Sequence, residues 1–174
     1  MATYTLISSN VLSSTAGSVT FSAIPSSYTD LEVRFSGRTN DTSWAAYCWV
    51  TLNGATTNFS ETALVGNGST ASSNRDSASS SWYQVRINGN NSTASTYGNA
   101  SIYIPSYTAS QNKPVSITST NEGNSSTAGQ IVMTATAALW SNTAAVTSIT
   151  LDATTGGTLW MSGSSFYLYG ISNA

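Results

Sequence analysis

Histidine is absent from this chain, cysteine and lysine occur once each, and charged side chains make up 7% of it, against roughly 25% in an ordinary globular domain. Without histidine no unperturbed side chain titrates near neutrality, and the Ser-His-Asp and Cys-His arrangements of nucleophilic catalysis are excluded. Ser-Lys catalysis would have to use Lys113, which precedes Pro114 at the entrance to an expected strand. Cys48 has no second cysteine to pair with, and its neighbours Tyr47, Trp49 and Val50 mark it as a buried thiol in a strand. No stretch approaches the roughly 18 apolar residues of a membrane span, and Met1-Ala2-Thr3-Tyr4 lacks the basic start and apolar run of a signal peptide. The expectation is a soluble chain made in the cytoplasm, with no membrane partner.

Phosphate chemistry is equally thin. The cations Arg34, Arg38, Arg75, Arg86 and Lys113 are scattered, the pI is near 4.7, and no nucleic-acid partner is expected. Neither a P-loop, a dinucleotide fingerprint nor a D-x-D-x-D-G calcium loop occurs. The carboxylates Asp30, Glu32, Asp41, Glu61, Asp76, Glu122 and Asp152 could pair for glycoside hydrolysis only through the fold, and their positions beside turns or on polar strand faces read as solvated charge. Sequons such as Asn58-Phe59-Ser60 and Asn124-Ser125-Ser126 arise readily in so Ser/Thr/Asn-rich a chain. No catalytic, cofactor or metal site is expected, and the chain does not read as an enzyme.

Hydroxyls and aromatics fill the space left by charge. Serine and threonine make up about a third of the chain, alongside five Trp and nine Tyr, and 40% of it is apolar. That apolar share can bury a core, and a net charge of -2 with many aromatics argues against disorder. One domain spanning 1–174 is expected. Apolar residues alternate with polar ones at period two, in stretches rich in Val, Ile, Thr and aromatics, so the fold class is all-β. Strands are expected over 4–8 and 18–24, as a first pair, then 31–36, 45–52, 82–87, 100–104, from 115, 130–140, 146–153, 159–161 and 165–171. Asn53-Gly54 signals a tight turn, and 66–80, almost without apolar side chains, reads as an exposed loop of about 15 residues. The segment 130–140 is apolar on both parities, as in a strand covered on both faces. About nine or ten strands suit a two-sheet antiparallel sandwich of jelly-roll type.

Within these strands Leu31, Val33, Phe35, Cys48, Val50, Leu52, Tyr83, Val85 and Ile87 are assigned to the core. On the opposite parity stand Tyr47, Trp49, Trp82, Tyr103, Tyr167 and Tyr169, the candidate residues for a subunit interface or for stacking on sugar rings.

Several strand and turn phrases carry a resemblance. They are Tyr4-Thr5-Leu6-Ile7-Ser8-Ser9, Val19-Thr20-Phe21-Ser22-Ala23-Ile24-Pro25, Ile102-Tyr103-Ile104-Pro105-Ser106-Tyr107, Leu139-Trp140-Ser141-Asn142 and Ser164-Ser165-Phe166-Tyr167-Leu168-Tyr169-Gly170-Ile171. With these the chain resembles small virion proteins of tailed bacteriophages, especially those of marine and cyanobacterial hosts. The resemblance implies a jelly-roll cement or decoration protein of the capsid exterior, assembled in the host cytoplasm, trimeric, with the major capsid protein as partner. The alternative is a head-fibre or tail-fibre module that binds host surface glycans.

Overall fold

A computed structural model describes residues 1–127, 130–153 and 157–172. Its strands are β1 (Thr3–Val11), β2 (Ser18–Phe21), β3 (Asp30–Gly37), β4 (Ala45–Leu52), β5 (Phe59–Gly66), β6 (Ala71–Ser79), β7 (Trp82–Asn88), β8 (Gly98–Ile104), β9 (Lys113–Asn121), β10 (Val132–Trp140), β11 (Ile149–Ala153) and β12 (Ser165–Ser172). The named strands pair antiparallel throughout, in an eight-stranded sheet β1-β12-β3-β8-β9-β10-β5-β6 and a four-stranded sheet β2-β11-β4-β7.

The winding is that of a jelly roll. β1 pairs with β12, β2 with β11, β3 with β8 and β4 with β7, so the chain is one long ribbon of strand pairs folded over itself. Successive pairs fall in alternate sheets, which gives β1-β12-β3-β8 facing β2-β11-β4-β7. Two hairpins, β5–β6 and β9–β10, are inserted in this ribbon and lengthen the larger sheet beyond β8. The expected first pair of strands is therefore no pair: β1 and β2 lie in different sheets. Segment 159–161 contributes only isolated bridges, from Trp160 to Ala16 and to Thr39.

Alternation decides the inner faces. Ala46, Cys48, Val50 and Leu52 of β4 meet Leu31, Val33 and Phe35 of β3 and Phe166 and Leu168 of β12 in one continuous core. Two aromatic groups anchor its ends. Trp160 packs edge-on to Phe166, with ring centroids 4.9 Å apart, while Phe35 stacks on Phe166 at 5.4 Å. Under the inserted hairpins Phe59 lies between Trp82 and Trp140, at 5.2 and 6.1 Å. Gly37 is required where Trp160 crosses β3, because a Cβ there would lie 2.5 Å from the indole.

The segment 66–80 is not a loop. Its first residue ends β5, residues 67–70 turn, and β6 runs through most of the remainder. The Asn67 side chain closes the turn by accepting from the Ser69 and Thr70 amides, at 3.1 and 2.9 Å. β6 is the sheet's last strand and is exposed on nearly every residue, so no buried face imposes an alternation that a reader could see. β10 also departs from expectation. Val132, Thr134, Thr136, Ala138 and Trp140 point inward, whereas Met133, Ala135 and Ala137 face solvent. Asn53-Gly54 does form the tight turn, both residues having positive φ.

Charge is used inside the fold more than its polar surroundings in sequence suggest. Asp30, Glu32, Glu61, Arg38 and Lys113 are all buried. The Arg38 guanidinium donates to the carbonyls of Asn90, Ser92, Thr93 and Thr96, which fastens the segment between β7 and β8. Lys113 Nζ donates to the carbonyls of Ala109, Gln111 and Thr143.

Candidate functional site

The six outward aromatics predicted from parity do not form one surface. Tyr103, Tyr167 and Tyr169 stand on the outer face of the eight-stranded sheet, Tyr47 and Trp49 on the outer face of the four-stranded sheet, and Trp82 is fully buried. Trp82 is a correction with a local cause. β4 and β7 pair Cys48 with Val85 and Val50 with Trp82, so two steps on β4 match three on β7. This bulge reverses the parity of the start of β7. Trp82 turns inward against Phe59, its indole N–H donating to the Leu139 carbonyl at 3.3 Å, and Tyr83, expected in the core, turns outward.

On the larger sheet the outward residues are tied to one another. Register places Leu6, Tyr169, Glu32 and Tyr103 in one row across β1, β12, β3 and β8, and Tyr167, Arg34 and Ser101 in the next. Glu32 accepts from Arg34 Nε at 2.8 Å and Nη2 at 3.0 Å, and from the Ser101 hydroxyl at 2.7 Å. Burial works against its charge, but these hydrogen bonds and the Arg34 charge outweigh burial and hold its pKa below the ordinary value. The same guanidinium sits over the rings of Tyr4 and Tyr169, at 5.6 and 5.8 Å. Tyr103 donates to Asp30 at 2.8 Å, and burial, together with that carboxylate, pushes its pKa up to about 12. Tyr4 and Arg34 were not among the predicted site residues, although Tyr4 and Leu6 share one parity in β1.

The outer face of the smaller sheet is built differently. The Tyr47, Tyr83 and Trp49 rings form a chain, with centroids 6.0 and 6.3 Å apart and planes turned by 53° and 46°. Arg86, opposite Tyr47 in register, lies 3.5 Å from its ring centre, and burial lowers the guanidinium's pKa. Across the sheet from Trp49 stands Asp152 of β11. Burial raises the Asp152 pKa, and no cation among the described residues pairs with it. Beside it Gly17, Ser18, Trp49, Asp152, Thr158 and Leu159 line an open depression of about 420 Å³.

The strand edges also differ. β7 ends the smaller sheet, yet side chains of the larger sheet take up its outer backbone groups. Glu61 accepts from the Tyr83 and Gln84 amides at 3.0 and 3.2 Å, Ser119 accepts from the Arg86 amide at 2.7 Å, and Thr134 donates to the Gln84 carbonyl at 3.0 Å. Among the described residues β1, at the end of the larger sheet, pairs only with β12. It carries no charged side chain, and Tyr4, Leu6 and Val11 are 53%, 51% and 61% exposed.

Among the described residues no three His, Cys, Asp or Glu side chains come together as metal ligands. Cys48 is fully buried, and burial, followed by the Asp152 charge, raises its pKa well above the ordinary value. Compared with known proteins, the chain matches no family model, and neither a curated protein nor a solved structure matches it.

Proposed function

We propose that this chain is a structural virion protein of a tailed bacteriophage, a cement subunit that binds the outer surface of the assembled head. The observation that carries the reading is the open β1 edge. Nine residues without charge or proline present an unpaired backbone edge together with the exposed side chains of Tyr4, Leu6 and Val11. Such an edge is a template for pairing with another chain, and soluble proteins ordinarily blunt it with charge, proline or a covering segment. This fold caps β7 with side chains, whereas among the described residues no segment covers β1, whose one irregularity is the register shift between Leu6 and Ser8. The strand and turn phrases that resemble phage virion proteins supply the context, with the major capsid protein as partner and a trimer as the assembly unit.

The mechanism is binding without chemistry. A subunit with affinity for the assembled shell and none for free capsid protein shifts the equilibrium toward the shell by mass action. Many copies then add their contributions over the particle.

Purified protein added to heads stripped of accessory proteins is expected to cosediment and saturate at a fixed number of copies per head, and Leu6→Lys on β1 is expected to abolish binding while leaving the melting curve in place. Saturation of host cells without binding to heads would overturn the reading in favour of the fibre module.

A further inference from the structure

We propose that the outer face of the smaller sheet is a saccharide-binding site, centred on Trp49 and Asp152. It takes an uncharged oligosaccharide that stacks along the Trp49–Tyr83–Tyr47 rings and gives hydroxyl hydrogen bonds to the Asp152 carboxylate.

Two aromatic faces are available, and their polar groups distinguish them. On the larger sheet the carboxylates are already committed, Glu32 to Arg34 and Ser101, Asp30 to Tyr103 and the Ser106 amide. On the smaller sheet Asp152 is the only carboxylate in the four strands, it is half-buried, and no described cation offsets it. A carboxylate partly withdrawn from water and lacking a charge partner is stabilised by neutral donors, and a sugar supplies several hydroxyls at once. Asp152 repels anionic ligands, which excludes phosphate-bearing molecules from the same place.

The depression beside Trp49 falls, at about 420 Å³, within the roughly 300–1,000 Å³ typical of small-molecule sites. Its lining includes the hydroxyl residues Ser18 and Thr158 beside Trp49 and Asp152. Apolar ring faces joined to a few convergent polar groups are what the two sides of a pyranose require, since its C–H face is apolar and its edge is hydroxylated.

The aromatic chain gives the ligand its shape. Successive rings are turned by 46° and 53° rather than coplanar, so a flat fused aromatic molecule could lie on one ring only. A chain of separately hinged sugar rings can follow all three. Arg86 fixes the far end of the chain by its contact with Tyr47.

The test is binding of the intact protein to an immobilised panel of neutral oligosaccharides built from glucose, N-acetylglucosamine, mannose, galactose and rhamnose, with affinities of the retained members taken by titration. Wild type is expected to retain at least one member. Trp49→Ala and Asp152→Asn are each expected to weaken it by about tenfold or more, a loss of about 1.4 kcal/mol per tenfold. Tyr167→Ala, on the opposite sheet, is expected to bind as wild type does. Asp152→Asn keeps the side-chain shape, so it decides the matter should Trp49→Ala fail to fold. No retention of any panel member by wild type, or equal affinity in Asp152→Asn, overturns the proposal. The two readings are tested separately, because binding to heads is assigned to the β1 edge of the other sheet and is read by Leu6→Lys.

Discussion

Glu61 offers a quantitative test of how the inserted hairpins are joined to the jelly roll. Its side chain leaves β5, crosses between the sheets and accepts from the Tyr83 and Gln84 amides on the edge of β7. Burial raises its pKa from 4.5 to about 7, and the two backbone amides, which favour the carboxylate, only partly offset burial. At about 1.4 kcal/mol per pH unit, that displacement corresponds to about 3 kcal/mol of pH-dependent stability. The folded pKa lies above the unfolded one, so the folded protein holds the proton more tightly. The contribution is therefore complete below about pH 4.5 and is lost as pH rises through about 7.

Urea unfolding of wild type at intervals from pH 5 to pH 8 should show stability falling with rising pH, by up to about 1.4 kcal/mol per unit where the two states differ by one proton. Glu61→Gln keeps the shape and cannot ionise, so its profile should be flatter by that amount. Asp152, also raised by burial, adds a fall of the same sign, but both proteins contain it and it cancels from the difference. Parallel profiles for wild type and Glu61→Gln would refute the argument, since they would mean that Glu61 titrates alike in the folded and unfolded chains.

Other substitutions probe the remaining joints of the fold. Trp82→Ala should destabilise by about 3–5 kcal/mol in the same urea titration, because it empties a site between Phe59 and the inner sheet face; a loss below about 1 kcal/mol would restore the outward assignment of Trp82. Arg38→Met leaves four carbonyls without their donor and should cost about 3 kcal/mol, with hydrogen exchange accelerated between β7 and β8. Gly37→Ala drives a methyl into the Trp160 indole and should cost about 1–3 kcal/mol, read as a lowered melting temperature. Cys48 should resist a thiol reagent in native buffer and react stoichiometrically in denaturant.

Period-two alternation carried the fold class, and it worked wherever one strand face is buried and the other wet. β3, β4, β8 and β12 show it, and their core residues are legible from sequence without a structure. It failed for two physical reasons. β6 has no buried face, so nothing in its sequence separates it from a loop. β10, expected to be covered on both faces, carries Thr134 and Thr136 on its buried face and leaves Met133, Ala135 and Ala137 exposed on the other. At Thr134 β10 packs under the edge of β7, where a hydroxyl meets Ser119 and the Gln84 carbonyl, whereas the buried Thr136 hydroxyl has no partner among the described residues.

The candidate site shows how much one inserted residue can hide. Tyr47 and Trp49 were legible because β4 keeps its phase throughout, but the phase of β7 changes at the bulge opposite Cys48 and Val50, and nothing in Trp82-Tyr83-Gln84-Val85 announces it. Either tryptophan or tyrosine could have taken the inner position on composition alone. Trp82 takes it because the inserted hairpins open a space that Phe59 and Trp140 half fill, and because the Leu139 carbonyl lies within reach of the indole N–H. The same inward turn brings the Tyr83 ring out between Tyr47 and Trp49, completing the aromatic chain. The inserted hairpins thus shape the opposite face of a sheet to which they do not belong. A substitution that closes the Phe59–Trp140 space should disturb the Tyr83 position before it disturbs Trp49, whose phase is set by β4 pairing with β11.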